Sequence, residues 1–164
     1  MSRRDDSPRR ARAGGGAIQV DWATRRRPLS DAAVRRIARA ALRHGGRGGA
    51  GLAVVFVTDK ALARLHGEWL GDPRPTDVIS FDLSGAGGGP VGELYISVPR
   101  AFQEAHAREL PVERELALYI VHGCLHLCGH DDRAPRARRK MRAAERAVLA
   151  ELGFADDPTP FDGA

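Results

Sequence analysis

The segment VHGCLHLCGHDD (121–132) gathers the side chains of this sequence best suited to chemistry. His122 and His126 stand four residues apart within an apolar stretch. If that stretch is helical, two imidazoles at this spacing leave one face about one turn apart and can share a divalent metal. Imidazoles buried among leucines need partners, because unsatisfied buried polar groups are costly, and a metal supplies one. Gly129 offers a residue that can adopt a left-handed conformation, end the helix and turn the chain back. Asp132, three residues on, is the expected third ligand. His130 is its rival, better matched to zinc as an imidazole but placed directly after the turn; Asp131 is a further option. His130 or Asp131 could instead stand behind a ligand or meet substrate. Three protein ligands leave an open position for water, the pattern of catalytic rather than structural zinc. The cofactor expected is one Zn2+ per chain, or another divalent metal in its place.

The spacing H-x3-H-x2-G-x2-ligand is that of the metzincin zinc proteases. Those enzymes carry Glu immediately after the first His as general base. Here that residue is Gly123, so the metal spacing is kept and the protease base is missing. Cys124 and Cys128 point roughly 200° and 240° around a helix from His122 and read as small buried hydrophobes. With no other cysteine in the chain, a disulfide framework and a disulfide partner are not expected. His44, His66 and His106 have no evident partner and read as surface residues.

The elements that must position this segment follow from the apolar pattern. Residues 18–22 read as a strand. Ser30 caps a helix to about residue 43, with Val34, Ile37, Ala38, Ala41 and Leu42 on one face and Arg35, Arg36, Arg39 and Arg43 off it. Residues 52–58 are a continuous β-branched run, hence a buried strand. Asp59 is the expected cap of a second helix, with Leu62, Leu65 and Trp69 inward. TDVISF (76–81) and ELYISV (93–98) read as strands joined by a Gly-rich loop, able to form a hairpin. Pro99 opens one helix and Pro111 another, with Glu113 and Glu115 near the latter's positive end. That helix is apolar nearly all round and should be central and buried. A basic helix from about Pro135 to Leu152 closes the fold, ended by Gly153. The fold class expected is α+β: a single domain with a small mixed sheet of about four strands, about five helices, and the metal on the buried central helix.

The chain has 164 residues and a formal net charge of +5, which suits one domain and one core. Residues 1–16 are polar and Arg-rich and read as a disordered basic tail. Residues 17–155 form the domain, and 156–164 a loose C-terminal tail. No apolar run reaches the roughly 18 residues of a membrane span. The arginines of the N-terminus are not followed by the apolar stretch of a secretory signal. A cytoplasmic location is the simplest expectation. Lys60 and Lys140 are the only lysines; arginine carries the remaining positive charge, and its fork suits phosphate oxygens. That is weak evidence for a nucleic-acid partner.

HGCLHLCGHDD (122–132) resembles the H-G-x-L-H-L-x-G-(aromatic)-D-H signature of the YbeY proteins, bacterial rRNA-maturation endoribonucleases. PTDVISF (75–81) resembles that family's second conserved stretch, and GELYISV (92–98) its following G-D-I-x-I-S strand. The resemblance covers about residues 17–155. It implies a small α+β fold with a metal-bearing central helix. It also implies a single-strand-specific, metal-dependent endoribonuclease that acts in 16S rRNA 3′-end maturation and ribosome quality control, with 16S rRNA and the small ribosomal subunit as partners. The family's three histidine ligands carry over onto His122, His126 and position 132. This chain departs from the pattern: Asp132 stands where the signature has His, and His130 where it has an aromatic. Leu70 stands where many members carry an Arg, with Arg74 nearby, and His66 where the family has Asn.

On this reading a metal-bound water, acidified toward neutrality, carries the reaction, and no protein base is assigned. Arg35, Arg39 and Arg43 form one candidate stripe for the RNA backbone. Arg138, Arg139, Lys140, Arg142 and Arg146 form another, and Arg74 is a further candidate. The alternatives are a non-catalytic ribosome-assembly factor with a structural metal, or a different zinc hydrolase.

Overall fold

The computed structural model describes residues 16–70, 77–84 and 91–154, without the side chains of Trp69 and Leu70. The tails (save Gly16), Arg74 and most of the Gly-rich loop lie outside these residues. The elements run β1 (Ile18–Trp22), α1 (Asp31–His44), β2 (Leu52–Val57), α2 (Asp59–Leu70), β3 (Val78–Asp82), β4 (Gly92–Ser97), α3 (Val98–Arg108), α4 (Val112–Leu127) and α5 (Pro135–Glu151). Four strands and five helices among the described residues match the expected α+β class.

The strand order is β1-β2-β4-β3. β1, β2 and β4 are parallel, and β3 returns antiparallel beside β4 as the expected hairpin partner. Alternate residues of each strand face opposite sides. Leu52, Val54 and Phe56 of β2 and Leu94 and Ile96 of β4 face the larger core, which is filled by α1, α4 and α5. Val55, Val57, Ile79 and Tyr95 face the other side, where Leu62 and Leu65 of α2 cover them. β2 is buried on both faces, so its sequence shows no polar alternation.

Ser30 caps α1 as expected, its hydroxyl accepting from the Ala33 amide at 3.1 Å. The cap of α2 is not Asp59. Thr58 is the last residue before the helix, and its hydroxyl accepts from the Ala61 amide at 3.2 Å. Asp59, already in the first turn, instead accepts a hydrogen bond from the Ser97 hydroxyl and lies 3.9 Å from Arg100.

α4 is the hub of the domain. It packs against α1, α3 and α5 and against β3 and β4, which explains why its sequence is apolar nearly all round. Two glycines allow its close approach to the sheet. A Cβ on Gly92 would stand 2.6 Å from the Phe81 carbonyl and 2.7 Å from the Leu127 methyls. A Cβ on Gly123 would stand 2.7 Å from a Leu94 methyl and 3.3 Å from the Ser80 hydroxyl.

Gly92→Ala therefore cannot be accommodated unless the β3 backbone at Phe81 and the Leu127 side chain of α4 shift. It is expected to lower unfolding stability by about 1–3 kcal/mol, the usual cost of overpacking. The drop should be read as a lower urea midpoint at unchanged slope.

Candidate metal centre

His122 and His126 lie on one side of α4, their rings stacked parallel within 6° and 6.4 Å apart. The helix is buried, but this face is not. The His122 side chain is 29% exposed, and His126 is exposed. The expectation of imidazoles sunk among leucines is thus corrected. Leu116, Leu125 and Leu127 are buried in the core, half-buried Leu118 lies one turn before His122, and the histidines open toward solvent.

Each ring is held by its Nδ1. That of His122 lies 2.7 Å from Oε1 of Glu145, on α5. That of His126 lies 2.9 Å from the backbone carbonyl of His130. A carboxylate or a carbonyl can only accept, so each Nδ1 carries the proton. In the neutral ring this leaves the Nε2 lone pair facing outward, the form in which imidazole binds a metal.

The turn after α4 produces the second of these contacts. Gly129 has φ 99°, a left-handed conformation that side chains resist. The Gly129 amide donates to the His126 carbonyl at 3.1 Å, and the His130 amide to the Leu125 carbonyl at 3.1 Å. This is the Schellman ending of a helix. It folds the His130 backbone over the last turn, bringing its carbonyl to His126. Asp131 then tightens the chain, its Oδ1 accepting from the amides of Asp132 at 2.7 Å and Arg133 at 3.2 Å. These amide bonds hold the Asp131 carboxyl below the usual carboxylate range, the Arg133 amide foremost. Arg138 of α5 holds the loop from behind, its Nε donating to the Asp132 carbonyl at 3.1 Å.

The result places Asp132 Oδ2 3.6 Å from His122 Nε2. That is beyond hydrogen-bond range. It is close to the separation of about 3.4 Å between two ligand atoms on one tetrahedral zinc, each about 2.1 Å from the ion. The donor set of two imidazoles and a carboxylate also suits zinc. Among the described residues, no three His, Cys, Asp or Glu side chains are already gathered as a complete ligand set. His122 and Asp132 are brought together, while the ring of His126 lies parallel to that of His122 rather than converging with it. His130 reaches the site through its carbonyl, Asp131 is occupied in the turn, and the Asp132 carboxylate stands near His122 Nε2.

Gly123 faces the sheet, not the histidine face. The contacts its Cβ would make with Leu94 and Ser80 leave no room for the glutamate that a metzincin protease carries there. Cys124 is fully buried, and Cys128 packs beside Gly45. Both are free thiols, and burial pushes both up from the usual thiol range. Cys124 is a buried apolar filler, as expected, whereas Cys128 is only half-buried. His44 and His106 are exposed; His66 is half-buried, and its Nδ1 lacks a hydrogen-bond partner.

The candidate RNA stripe on α1 is engaged within the fold. Arg39 donates to the carbonyls of Gly48 (2.7 Å), Ala50 (2.8 Å) and Gly16 (2.7 Å), which ties Gly16 to the domain rather than to a tail. Arg35 donates to the Ile18 carbonyl, and Arg43 pairs with Glu151 at 2.7 Å. On α5, Arg139 is exposed and Arg142 half-buried. Glu145, which holds His122, is the site residue that sequence reasoning missed. Its only signal was an acidic residue on the apolar face of α5, beside Met141, Val148 and Leu149.

This is a small α+β protein with a histidine-bearing helix laid against a mixed sheet. Residues 20–153 match the family model described as Endoribonuclease YbeY. An endoribonuclease of that name from Chlorobium luteolum is 36% identical over 129 residues, covering 79% of this chain and 93% of that one. A longer relative of the same name from Myxococcus xanthus is 37% identical over 119 residues, 70% of this chain and 40% of its own. The solution structure of a Thermotoga maritima protein superposes with a TM-score of 0.57 at 20% identity, over 90% of this chain and 99% of that one. The chain belongs to the YbeY family, a family of endoribonucleases and hence of hydrolases acting on phosphodiester bonds.

Two outcomes follow from the geometry. Gly123→Glu is expected to destabilise the fold by roughly 3 kcal/mol or more, through overpacking and burial of a carboxylate, and to yield no casein cleavage. The second concerns pH. Burial alone would lower the His122 pKa, but the hydrogen bond and charge of Glu145, with Asp132 and Asp77, raise it above 6.5. In metal-free protein this pair's stabilisation is fully present below pH 6.5 and is lost as pH rises through the raised pKa. Zinc competes with the same proton, so its affinity should climb as pH rises across that range. Denaturation and zinc titration at a series of pH values would check both signs.

Proposed function

We propose that the chain is a single-strand-specific, metal-dependent endoribonuclease acting on 16S rRNA, in 3′-end maturation and ribosome quality control in the cytoplasm. The observation that carries the reading is the pairing of His122 Nε2 and Asp132 Oδ2 at 3.6 Å on an open face, in a chain of an endoribonuclease family. His122, His126 and Asp132 would hold the metal, with Zn2+ the ion best suited to this donor set. When bound, it supplies a Lewis acid for phosphoryl oxygens and a water acidified toward neutrality.

The protein's own contribution is positional. Glu145 and the His130 carbonyl fix the two rings, and Arg138 and Asp131 fix the loop that carries Asp132. The open face leaves room for a single strand. α5 begins just beyond Asp132, so its exposed Arg139 is the best-placed cation for the RNA backbone, with half-buried Arg142 a further candidate. Arg35, Arg39 and Arg43 rank lower because their guanidiniums already serve the fold. Arg74, outside the described residues, remains a candidate from sequence.

The test is cleavage of a single-stranded rRNA-like substrate before and after chelation, with metal added back. Cleavage should vanish with chelator and return with Zn2+. His126→Ala should lose at least about 100-fold, the scale expected when a metal ligand is removed. Full cleavage by His126→Ala in metal-free buffer would sink the reading. Metal-loaded protein that copurifies with small-subunit particles yet leaves RNA intact would favour a non-catalytic assembly factor instead.

A further inference from the structure

We infer that Glu145 is a positioning residue for the metal: it selects the His122 tautomer that presents Nε2 outward. The inference rests on the metal-centre reading, but it can fail separately from it.

Glu145 lies on α5, 23 residues from His122 in sequence, and is only 8% exposed. Its helix neighbours Met141, Ala144, Val148 and Leu149 are all buried apolar residues. A carboxylate in such a place is costly unless paired. An apolar residue would pack there at no such cost, so packing alone does not account for the glutamate. Its Oε1 meets His122 Nδ1 at 2.7 Å, a charge-assisted distance. Imidazole free in water prefers its proton on Nε2, which would leave the outward nitrogen blocked. The carboxylate reverses that preference at His122 by accepting from Nδ1–H.

The two histidines are thus backed differently. His126 leans on a neutral carbonyl, which the backbone of the turn supplies whatever its side chains. His122 leans on a charge from another helix. A carboxylate behind a ligand makes the imidazole more electron-donating as well as aiming it, and removing such a partner usually costs 10- to 100-fold in metal affinity. The docking of α5 on α4 is thereby a condition of metal binding, not only of folding.

The test uses Glu145→Met, which matches its apolar neighbours in volume and keeps no acceptor, and Glu145→Gln, which can still accept. Zinc affinity is measured by competition with a chromophoric chelator. The His122 tautomer is read from the ring nitrogen shifts of metal-free protein, at a pH above the raised pKa of His122. Wild type should show the Nδ1–H form. Glu145→Met should stay folded, shift to the Nε2–H form and lose 10- to 100-fold in zinc affinity, while Glu145→Gln should recover part of the loss. Wild-type His122 found in the Nε2–H form would overturn the proposal without any variant. So would a folded Glu145→Met protein that binds zinc as tightly as wild type. If wild type binds no zinc at all, the metal reading falls, and the tautomer measurement still decides the role of Glu145.

Discussion

The approach of α4 to the sheet governs most of what else the chain does. At Gly92 and Gly123 a side chain would crowd the contact of the helix with β4 and β3. With that contact made, α4 becomes the element on which α1, α3 and α5 all pack. Leu116, Leu125, Leu127, Ile120, Val121 and Cys124 are then spent in the core, leaving one side for His122 and His126. The same contact explains why a protease base is absent. The position following the first histidine faces the sheet, and a side chain there would have to displace Leu94. Metal spacing and base are thus separable in this fold, for a steric reason.

The second layer of order is made of hydrogen bonds that end on the site from behind. A Schellman turn, an acidic side chain binding successive amides, and an arginine bonded to a carbonyl each fix one degree of freedom of a short loop. None touches the open side. Each of these bonds is worth about 1 kcal/mol net in stability, so none dominates folding. Their effect is geometric. Asp132 stands 47% exposed, and without the bonds to Asp131 and Arg138 its backbone would have the freedom of an ordinary surface loop. With them, its carboxylate stands near His122.

How far the sequence carried this differs by the kind of signal. The strand β2, the helix cap at Ser30 and the stop at Gly129 were legible because each depends on nearby residues: a β-branched run, a hydroxyl before an apolar period, a glycine after one. The order of the strands and the side of α4 facing solvent depend on contacts between distant elements, and the pattern of a helix apolar nearly all round does not tell which face stays open. Asp59 was misassigned as a cap because Thr58 and Asp59 both suit that role, and only the partner Ser97, 38 residues away, decides between them. Glu145 was missed for a like reason. An acidic residue on a helix crowded with arginines looks like one more surface charge until α5 is docked.

The arginines mark the limit of composition as evidence. Their excess suggested phosphate, yet Arg39 closes three carbonyls and Arg138 two more. The guanidinium fork that suits phosphate oxygens suits backbone carbonyls for the same reason, since both present acceptors that a planar donor can bridge. In a chain with only two lysines, arginine must serve as both structural clamp and surface cation. Net charge therefore overstates the surface available to RNA. The cations that matter for a substrate are those left on the open side once the carbonyls are satisfied. Exposed cations of α5, which begins at Pro135 just beyond Asp132, are candidates for that condition, whereas the stripe on α1 is engaged within the fold. The polarity of the molecule is set accordingly: a helix packed on three sides, a histidine-bearing face on the fourth, and a basic helix leading away from it.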